Sequence, residues 1–316
     1  MEQRQNLSSH NPLNRSFTLA SLLRFAAPAI GMMLTLSLYS IIDGIFIGRF
    51  VGDTALAASN IVYPAFNLVL GIAIMLASGG SALVAKTLGE QLPDKASQYF
   101  TQLLLAAFCI GIFLEIFIFG FSTPLLQLLG AKGAMLAPAQ DYLKSMMLFT
   151  PFFIVKAIFD NFFIADGRPL FGFLVSLASG LANTLLDALF ICVFGWGIFG
   201  AGLATGLANV LASLAGLIYF KYFSRVLHFC RFHFHFTVLR QASSNGISEM
   251  VTQLSVGITT YLFNLITFAW AGESGVAAIS IIFYVEMLLT SAYLGFTNGV
   301  APIFSYQYGA RSFPEL

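Results

Sequence analysis

Apolar residues run through this chain in long stretches that contain no charged side chain, and the stretch from Thr54 to Ala85 is one of them. A helix needs only about 20 apolar residues to cross the hydrocarbon layer of a bilayer, whereas a barrel strand needs about 10 alternating ones. The pattern therefore predicts eight membrane-spanning helices, several of them separated by turn-forming or charged residues. These spans lie near 20–47, 55–83, 98–121, 139–163, 171–194, 199–220, 244–270 and 276–304.

The composition agrees with a membrane protein. Of the 316 residues, 58% are hydrophobic and only 9% are charged, whereas a soluble domain carries roughly 25% charged residues. The net charge of +1 gives no argument for a nucleic-acid partner.

The distribution of Lys and Arg predicts the orientation. If the N-terminus is cytoplasmic, eleven of these residues fall on the inner side and three, Arg49, Lys132 and Lys144, on the outer side. The positive-inside rule therefore predicts eight helices with both termini in the cytoplasm.

The sequence also contains a weak internal repeat. Gly79 and Gly89 recur as Gly299 and Gly309, and four residues of the second span recur in the eighth. The four are Ala57, Ser59, Ile61 and Tyr63, matched by Ala278, Ser280, Ile282 and Tyr284. A repeat of this length contains six helices, so its copy keeps the same orientation.

This repeat predicts how the chain is divided. We expect a cytoplasmic tail at 1–19, a six-helix lobe at 20–220, a cytoplasmic linker at 221–240 and two helices of a second lobe at 241–316. The chain would then be truncated relative to a protein with two complete lobes.

Ionisable residues within the spans are the main functional signal, because a carboxylate at the bilayer centre costs roughly 2.5–3.5 kcal/mol. Asp187 is the strongest candidate, since Asn183 lies four residues earlier on the same helix face. Such a pair could bind a cation or a proton, or it could be a hydrogen-bonded packing group. The other charged positions are Asp43, Glu115, Lys156, Asp160 and Glu286.

Two further features of the spans have more than one interpretation. Lys156 and Asp160 are four residues apart, so they either neutralise each other or line a pathway. Pro28 removes a backbone hydrogen bond from the first helix, which produces either a hinge or a static kink.

The sequence motifs give little support for an enzymatic function. The G-x-G-x-x-G spelling at 195–200 joins two membrane helices and follows no strand, which argues against dinucleotide binding. His228, Cys230, His233 and His235 alternate with phenylalanines, a pattern typical of an interfacial amphipathic linker. We therefore predict a protein that is not an enzyme.

The first helix resembles the opening helix of MATE transporters, the multidrug and toxic compound extrusion family. The resemblance rests on Pro28, on Tyr39-Ser-Ile-Ile-Asp43 and on Phe46-Ile-Gly48-Arg49. Asn183 and Asp187, with Thr205 on the next helix, are similar to that family's cation site in its amino-terminal lobe. The implied fold is all-α and integral to the membrane, with the six-helix amino-terminal lobe and the first two helices of the second lobe.

This resemblance implies a secondary antiporter that exports cationic or amphipathic compounds in exchange for protons or sodium. Asp43 and Asp187 would bind the coupling ion with Asn183 and Thr205 as supporting ligands, and Pro28 would be the hinge. Residues of the substrate pathway would be Tyr39, Asp160 and Glu286, although Asp160 stands where the family often has asparagine. The implied protein is a monomer of the bacterial inner membrane that needs no cofactor besides the ion.

Two alternatives stay open. A flippase or an exporter of lipid-linked or polysaccharide substrates would need a large cationic groove, and the spans offer only Lys156 as a cation. The chain could also be an inactive fragment.

Overall fold

The computed structural model describes residues 13–14, 17–131 and 133–312, and within these residues the regular structure is entirely helical. Two π-helical segments, Ile47–Val51 and Ala188–Val193, extend the first and sixth α-helices, and a short 3-10 turn at Gly133–Met135 precedes the fourth. The α-helices are α1 (Leu19–Phe46), α2 (Asp53–Gly89), α3 (Pro93–Leu128), α4 (Leu136–Met147), α5 (Thr150–Ala165), α6 (Pro169–Asp187), α7 (Gly197–Tyr222) and α8 (Phe236–Gly309).

Local sequence signals mark where several helices begin. Thr18 caps α1, because its side-chain oxygen accepts a hydrogen bond from the backbone N–H of Ser21 at 3.3 Å. Pro93 and Pro169 open α3 and α6, where the missing proline N–H leaves no helical hydrogen bond unmade. Gly167 precedes α6 with φ +76°, a left-handed conformation that favours glycine.

The first, second, third, fifth and sixth predicted spans are confirmed, and the eighth is present in part as Val285–Gly309. Among the described residues, six helical segments are long and apolar enough to cross a bilayer, and α4 and α5 together could form a seventh span. The six are Leu19–Val51, Thr54–Gly89, Pro93–Leu128, Pro169–Val193, Gly197–Tyr222 and Val285–Gly309.

The fourth predicted span, 139–163, is bent by 53° between α4 and α5 rather than being one straight helix. Phe149 has non-helical backbone angles, with φ −115° and ψ 20°. Pro151 follows in the first turn of α5, where it has no N–H with which to continue the helix of α4.

The predicted interruption between the seventh and eighth spans is wrong at the level of the backbone, which is helical from Phe236 to Gly309. The path of α8 nevertheless reverses. Ala242 lies against Gly79, and Tyr306 lies against Gly89, so both ends of α8 contact the carboxyl-terminal part of α2. A straight helix advances about 1.5 Å per residue, so its two ends could not lie so close together.

We call residues 236–257 the first arm of α8 and residues 285–309 its second arm. The first arm packs along α2, where Gly257 meets Asn67, and the second arm packs along α1, where Gly295 meets Ile30. Direct backbone contact at glycines is typical of close helix packing in membranes.

One crossing of α2 and α8 is reciprocal. A Cβ atom at Gly89 would overlap the carbonyl oxygen of Tyr306, and a Cβ atom at Gly309 would overlap that of Lys86. Gly89 and Gly309 are separated by the same number of residues as Lys86 and Tyr306. The internal repeat therefore relates each of these two contacts to the other. This geometry supports an internal repeat that includes α2 and the second arm.

The connection between α7 and α8 is docked on the helices rather than lying free at the membrane surface. The side chain of Gln102 in α3 accepts a hydrogen bond from the His235 N–H at 3.2 Å and donates one to the His235 carbonyl at 2.7 Å. Thr101 accepts from the Cys230 N–H at 3.3 Å.

Asp166, which follows α5, holds the beginning of the same connection. Its carboxylate accepts hydrogen bonds from the Tyr219 hydroxyl at 2.6 Å, the Ser224 hydroxyl at 2.7 Å and the Leu227 N–H at 3.1 Å. Burial raises the pKa of Asp166 to about 6, although these three donors and Arg168 oppose the increase.

The crossing of α2 and α8 predicts an effect on stability. Gly89→Ala places a methyl group against the backbone of α8, so we expect it to lower the free energy of unfolding by about 1–3 kcal/mol. Gly120→Ala in α3 is the matched control, because no atom lies within 4 Å of its Cβ position. Thermal unfolding in detergent measures both, and equal melting temperatures would show that the crossing is not tightly packed.

The Asp166 carboxyl predicts that docking of the connection depends on pH. Undocking exposes this carboxyl to water and returns its pKa to the ordinary value near 3.8, so the docked state binds the proton more tightly. The added stability is therefore present below pH 4 and is lost as the pH rises through about 6. We expect the hydrogen-exchange protection factors of residues 224–230, corrected for intrinsic rates, to fall over this window.

Asp166→Asn is the control for this effect, because it keeps an acceptor for the same donors and does not titrate. The variant should show protection factors that do not change between pH 4 and 7. The same pH dependence in the variant would assign the effect to another group.

Candidate functional site

Asp43 and Asp187 come together because α1 and α6 pack side by side in the same direction. Gly31 meets Phe173, and Gly180 meets Thr35 and Tyr39, so contacts advance together along both helices. The absence of a side chain at Gly180 lets the two helices approach closely. Asp43 near the end of α1 therefore lies near enough to Asp187, the last residue of α6, for the two carboxyl groups to interact electrostatically.

Both carboxyl groups are buried, with Asp43 9% exposed and Asp187 fully enclosed. Among the described residues, no hydrogen-bond donor reaches either oxygen of Asp187, nor Oδ1 of Asp43 or Asn183. Buried polar atoms are nearly always paired, and a buried charge without a partner is strongly unfavourable. These four oxygen atoms are available as acceptors for a proton or as ligands for a cation.

Tyr142 of α4 is the residue of this group that sequence analysis missed. Its hydroxyl donates a long hydrogen bond of 3.5 Å to Oδ2 of Asp43, and it also interacts electrostatically with Asp187. Nothing in the sequence distinguishes Tyr142 from other tyrosines near the ends of spans. α4 packs chiefly against α7, α2 and α3, and only this tertiary placement brings the Tyr142 hydroxyl to Asp43.

Asn183 and Thr205, which the family resemblance groups together, are in contact in the structure. The Asn183 side-chain amide donates to the Thr205 hydroxyl on α7 at 3.2 Å. This bond uses the amide nitrogen and leaves the amide oxygen as an acceptor. Carboxylate, amide and hydroxyl oxygens are the ligands that hard cations prefer.

Lys156 and Asp160 form a second polar cluster within the bundle. The ammonium lies 2.8 Å from Oδ2 of Asp160, and the Ser176 hydroxyl on α6 donates to Oδ1 at 3.3 Å. The mutual neutralisation expected from their spacing is therefore present. Asp160, but not Lys156, also borders a narrow gap between α1, α5 and the second arm of α8, together with Asn161 and Asn298.

Tyr39 of α1 is close enough to Asp43, Asp160 and Lys156 to interact electrostatically with each of them.

Two predicted residues lie outside these clusters. Glu286 is exposed, and among the described residues it makes no hydrogen bond or ion pair with either cluster. Pro28 sits within α1, which is helical without interruption from Leu19 to Phe46, so its role as a hinge stays a prediction.

The buried pair predicts an effect on stability. Lys156→Met removes the ammonium and leaves the Asp160 carboxylate buried without its cation, so we expect a loss of about 3–5 kcal/mol in the free energy of unfolding. The double variant Lys156→Met/Asp160→Asn has no uncompensated charge and should recover most of this loss. Melting temperatures in detergent that are equally low for both variants would contradict this account.

A known family and several known proteins are similar to this chain in sequence. The sequence model of the MatE family matches residues 28–189, which is half of the chain and includes Asp43, Asn183 and Asp187. Multidrug export protein MepA of Staphylococcus saprophyticus is 27% identical over 298 residues, which cover 93% of this chain and 65% of that protein. MepA of Staphylococcus aureus strain N315 is 27% identical over 294 residues, which cover 92% and 65%. The chain therefore spans about two thirds of the length of these relatives.

Solved structures share the fold. A crystal structure of MATE in complex with MaD3S is 24% identical with a TM-score of 0.87, covering 100% of this chain and 70% of that one. An outward-facing conformation of a multidrug resistance MATE family transporter is 23% identical with a TM-score of 0.88, covering 98% and 68%. With the family match over half of its length, the chain belongs to the MATE family of membrane transporters.

Proposed function

We propose that this protein is a secondary active multidrug efflux antiporter, which exports cationic or amphipathic compounds in exchange for protons or sodium ions. The observation that carries the proposal is the group of buried, unpartnered oxygens on Asp43, Asn183 and Asp187. Relatives that are named multidrug export proteins support the substrate class.

The electrostatics of the site suggest how ion and substrate exchange. Two neighbouring carboxylates in a medium of low dielectric favour the uptake of a cation or a proton, because ionisation of one group disfavours ionisation of the other. Once the coupling ion is bound, a cationic substrate loses the charge that attracts it and leaves. Release of the ion on the other side restores the negative charge.

Each ligand atom has a distinct role in this proposal. Asp187 and Asp43 supply the charge, Asn183 supplies a neutral oxygen, and Thr205 orients Asn183 through their hydrogen bond. Tyr142 holds one oxygen of Asp43, which leaves the other oxygen for the ion.

The remaining predicted residues would form the substrate route and the hinge that changes its access. Tyr39 and Asp160 would line the route next to the ion site, and Glu286 would face it from α8. Pro28 would allow α1 to bend, because its missing N–H leaves one helical bond unmade. We also propose a monomer in the bacterial inner membrane with both termini of this chain in the cytoplasm.

The transmembrane potential is sufficient to drive such a cycle. One elementary charge that moves across 100 mV gains about 2.3 kcal/mol. A proton and a sodium ion carry the same charge, so this term is the same for either coupling ion.

A flippase for anionic lipid-linked substrates has less support. It needs free cations within the membrane, and in the described part of the spans the Lys156 ammonium is already neutralised by Asp160 at 2.8 Å. The polar residues that border the narrow gap at Asp160 are this carboxylate and two amides, and the other residues that border it are apolar.

Asp187→Asn should abolish coupling, because the amide cannot bind a proton or balance the charge of a cation. We expect proteoliposomes to lose at least tenfold in the efflux of a lipophilic cationic dye, about 1.4 kcal/mol or more in the coupled step. Separate pH and sodium gradients identify the ion. Glu115→Gln is the control, since Glu115 is a half-buried carboxylate of α3 outside both clusters.

A binding assay tests the ion site without requiring a full transport cycle. Tetraphenylphosphonium binding to the chain in detergent should weaken at low pH or at high sodium, and Asp187→Asn should remove this competition. Wild-type efflux together with unchanged competition in the variant would contradict the proposal.

A further inference from the structure

A surface cleft lies where α7 meets the connection to α8. It has a volume of about 520 Å³ and is lined by Leu217, Ile218, Lys221 and Tyr222 of α7 and by Phe229. Four of these five side chains are apolar or aromatic, and the fifth is a lysine. The cleft therefore combines a hydrophobic wall with a single cation.

An apolar stripe on α7 leads into this cleft. Leu211, Leu214 and Ile218 are 52%, 45% and 52% exposed, and their spacing places them on one face of the helix. Exposed side chains on a membrane-spanning helix face lipid, so the stripe lies where an acyl chain runs.

Aromatic side chains mark the depth of the cleft in the membrane. Tyr222 and Phe223 at the end of α7 are 67% and 68% exposed, and Phe234 is 60% exposed on the connection. Exposed aromatic residues at the ends of spans are typical of the membrane–water interface. Lys221 beside them therefore lies at the level of the lipid headgroups.

The segment that contains and follows this cleft is strongly basic. Residues 221–240 contain four cations, Lys221, Arg225, Arg231 and Arg240, and no acidic residue. All four are exposed, and none takes part in the ion pairs of the described residues. The Lys221 ammonium lies 5.0 Å from the centre of the Tyr222 ring, a contact that leaves its donors open to a phosphate.

We propose that this cleft binds an anionic phospholipid, with one acyl chain along Leu211, Leu214 and Ile218 and the phosphate beside Lys221. Arg225 and Arg231 add attraction for the negative headgroup. A peptide or a soluble anion would fit less well, because neither would cover the apolar stripe. This proposal stands on the cleft and its charges and is independent of the transport function.

Binding of defined lipids to the purified full chain tests the proposal. Native mass spectrometry from micelles would compare phosphatidylglycerol with phosphatidylcholine of the same acyl chains. We expect preferential retention of phosphatidylglycerol. Lys221→Gln should weaken that retention about fivefold, since one cation near an anionic headgroup contributes about 1 kcal/mol.

Two further variants separate the charge from the cleft. Arg24→Gln removes an exposed cation of α1 and should leave retention unchanged. Ile218→Trp should fill the cleft and weaken the binding of both lipids while the charge stays the same. Inorganic phosphate should not displace phosphatidylglycerol, because it lacks the acyl chain.

The opposite results would overturn the proposal. These are equal retention of the two lipids, wild-type retention by Lys221→Gln, or an equal loss in Arg24→Gln, which would indicate diffuse surface charge. Retention unaffected by Ile218→Trp, or displacement by phosphate alone, would exclude the acyl-chain contact. Melting temperatures close to that of the wild type verify that each variant is folded.

Discussion

A pair of buried carboxyl groups with unpartnered oxygens is the constraint on which the rest of the bundle depends. Asp43 and Asp187 are removed from water, lie close to each other, and leave three of their four oxygens without a donor. In a medium of low dielectric this arrangement is unfavourable unless a proton or a cation joins it. The same feature that is costly for folding is the reason for proposing an ion site here.

Three aspartates in the protein show three solutions to the problem of a buried carboxylate. Asp160 is neutralised by Lys156 within one helix, and its second oxygen accepts from Ser176. Asp166 lies outside the spans and accepts three hydrogen bonds, which connect α5 to the segment that leads into α8. Asp187 has neither a cation nor a donor among the described residues. The first two carboxylates are satisfied by the protein itself, whereas the third has both of its oxygens available to a ligand.

Glycines determine how close the helices come and therefore where the polar groups lie. Gly180 allows α6 to lie against Thr35 and Tyr39 of α1, which brings the ends of both helices and their aspartates together. At the other end of the bundle, Gly89 and Gly309 bring α2 and α8 into backbone contact. Tight packing without a hydrophobic driving force relies on such small residues, because lipid is as apolar as the helix surface.

The sequence by itself determined the membrane environment, five of the first six spans and the Lys156–Asp160 pair, and the family resemblance grouped Asn183 with Thr205. Each follows from composition or from spacing along one helix, or from a motif that resembles a known family. Only the tertiary structure decided the bend at Pro151, the contribution of Tyr142 and the docking of the α7–α8 connection on α3. These depend on which helices are neighbours, and the spacing of residues along one helix carries no information about the side chains that another helix presents.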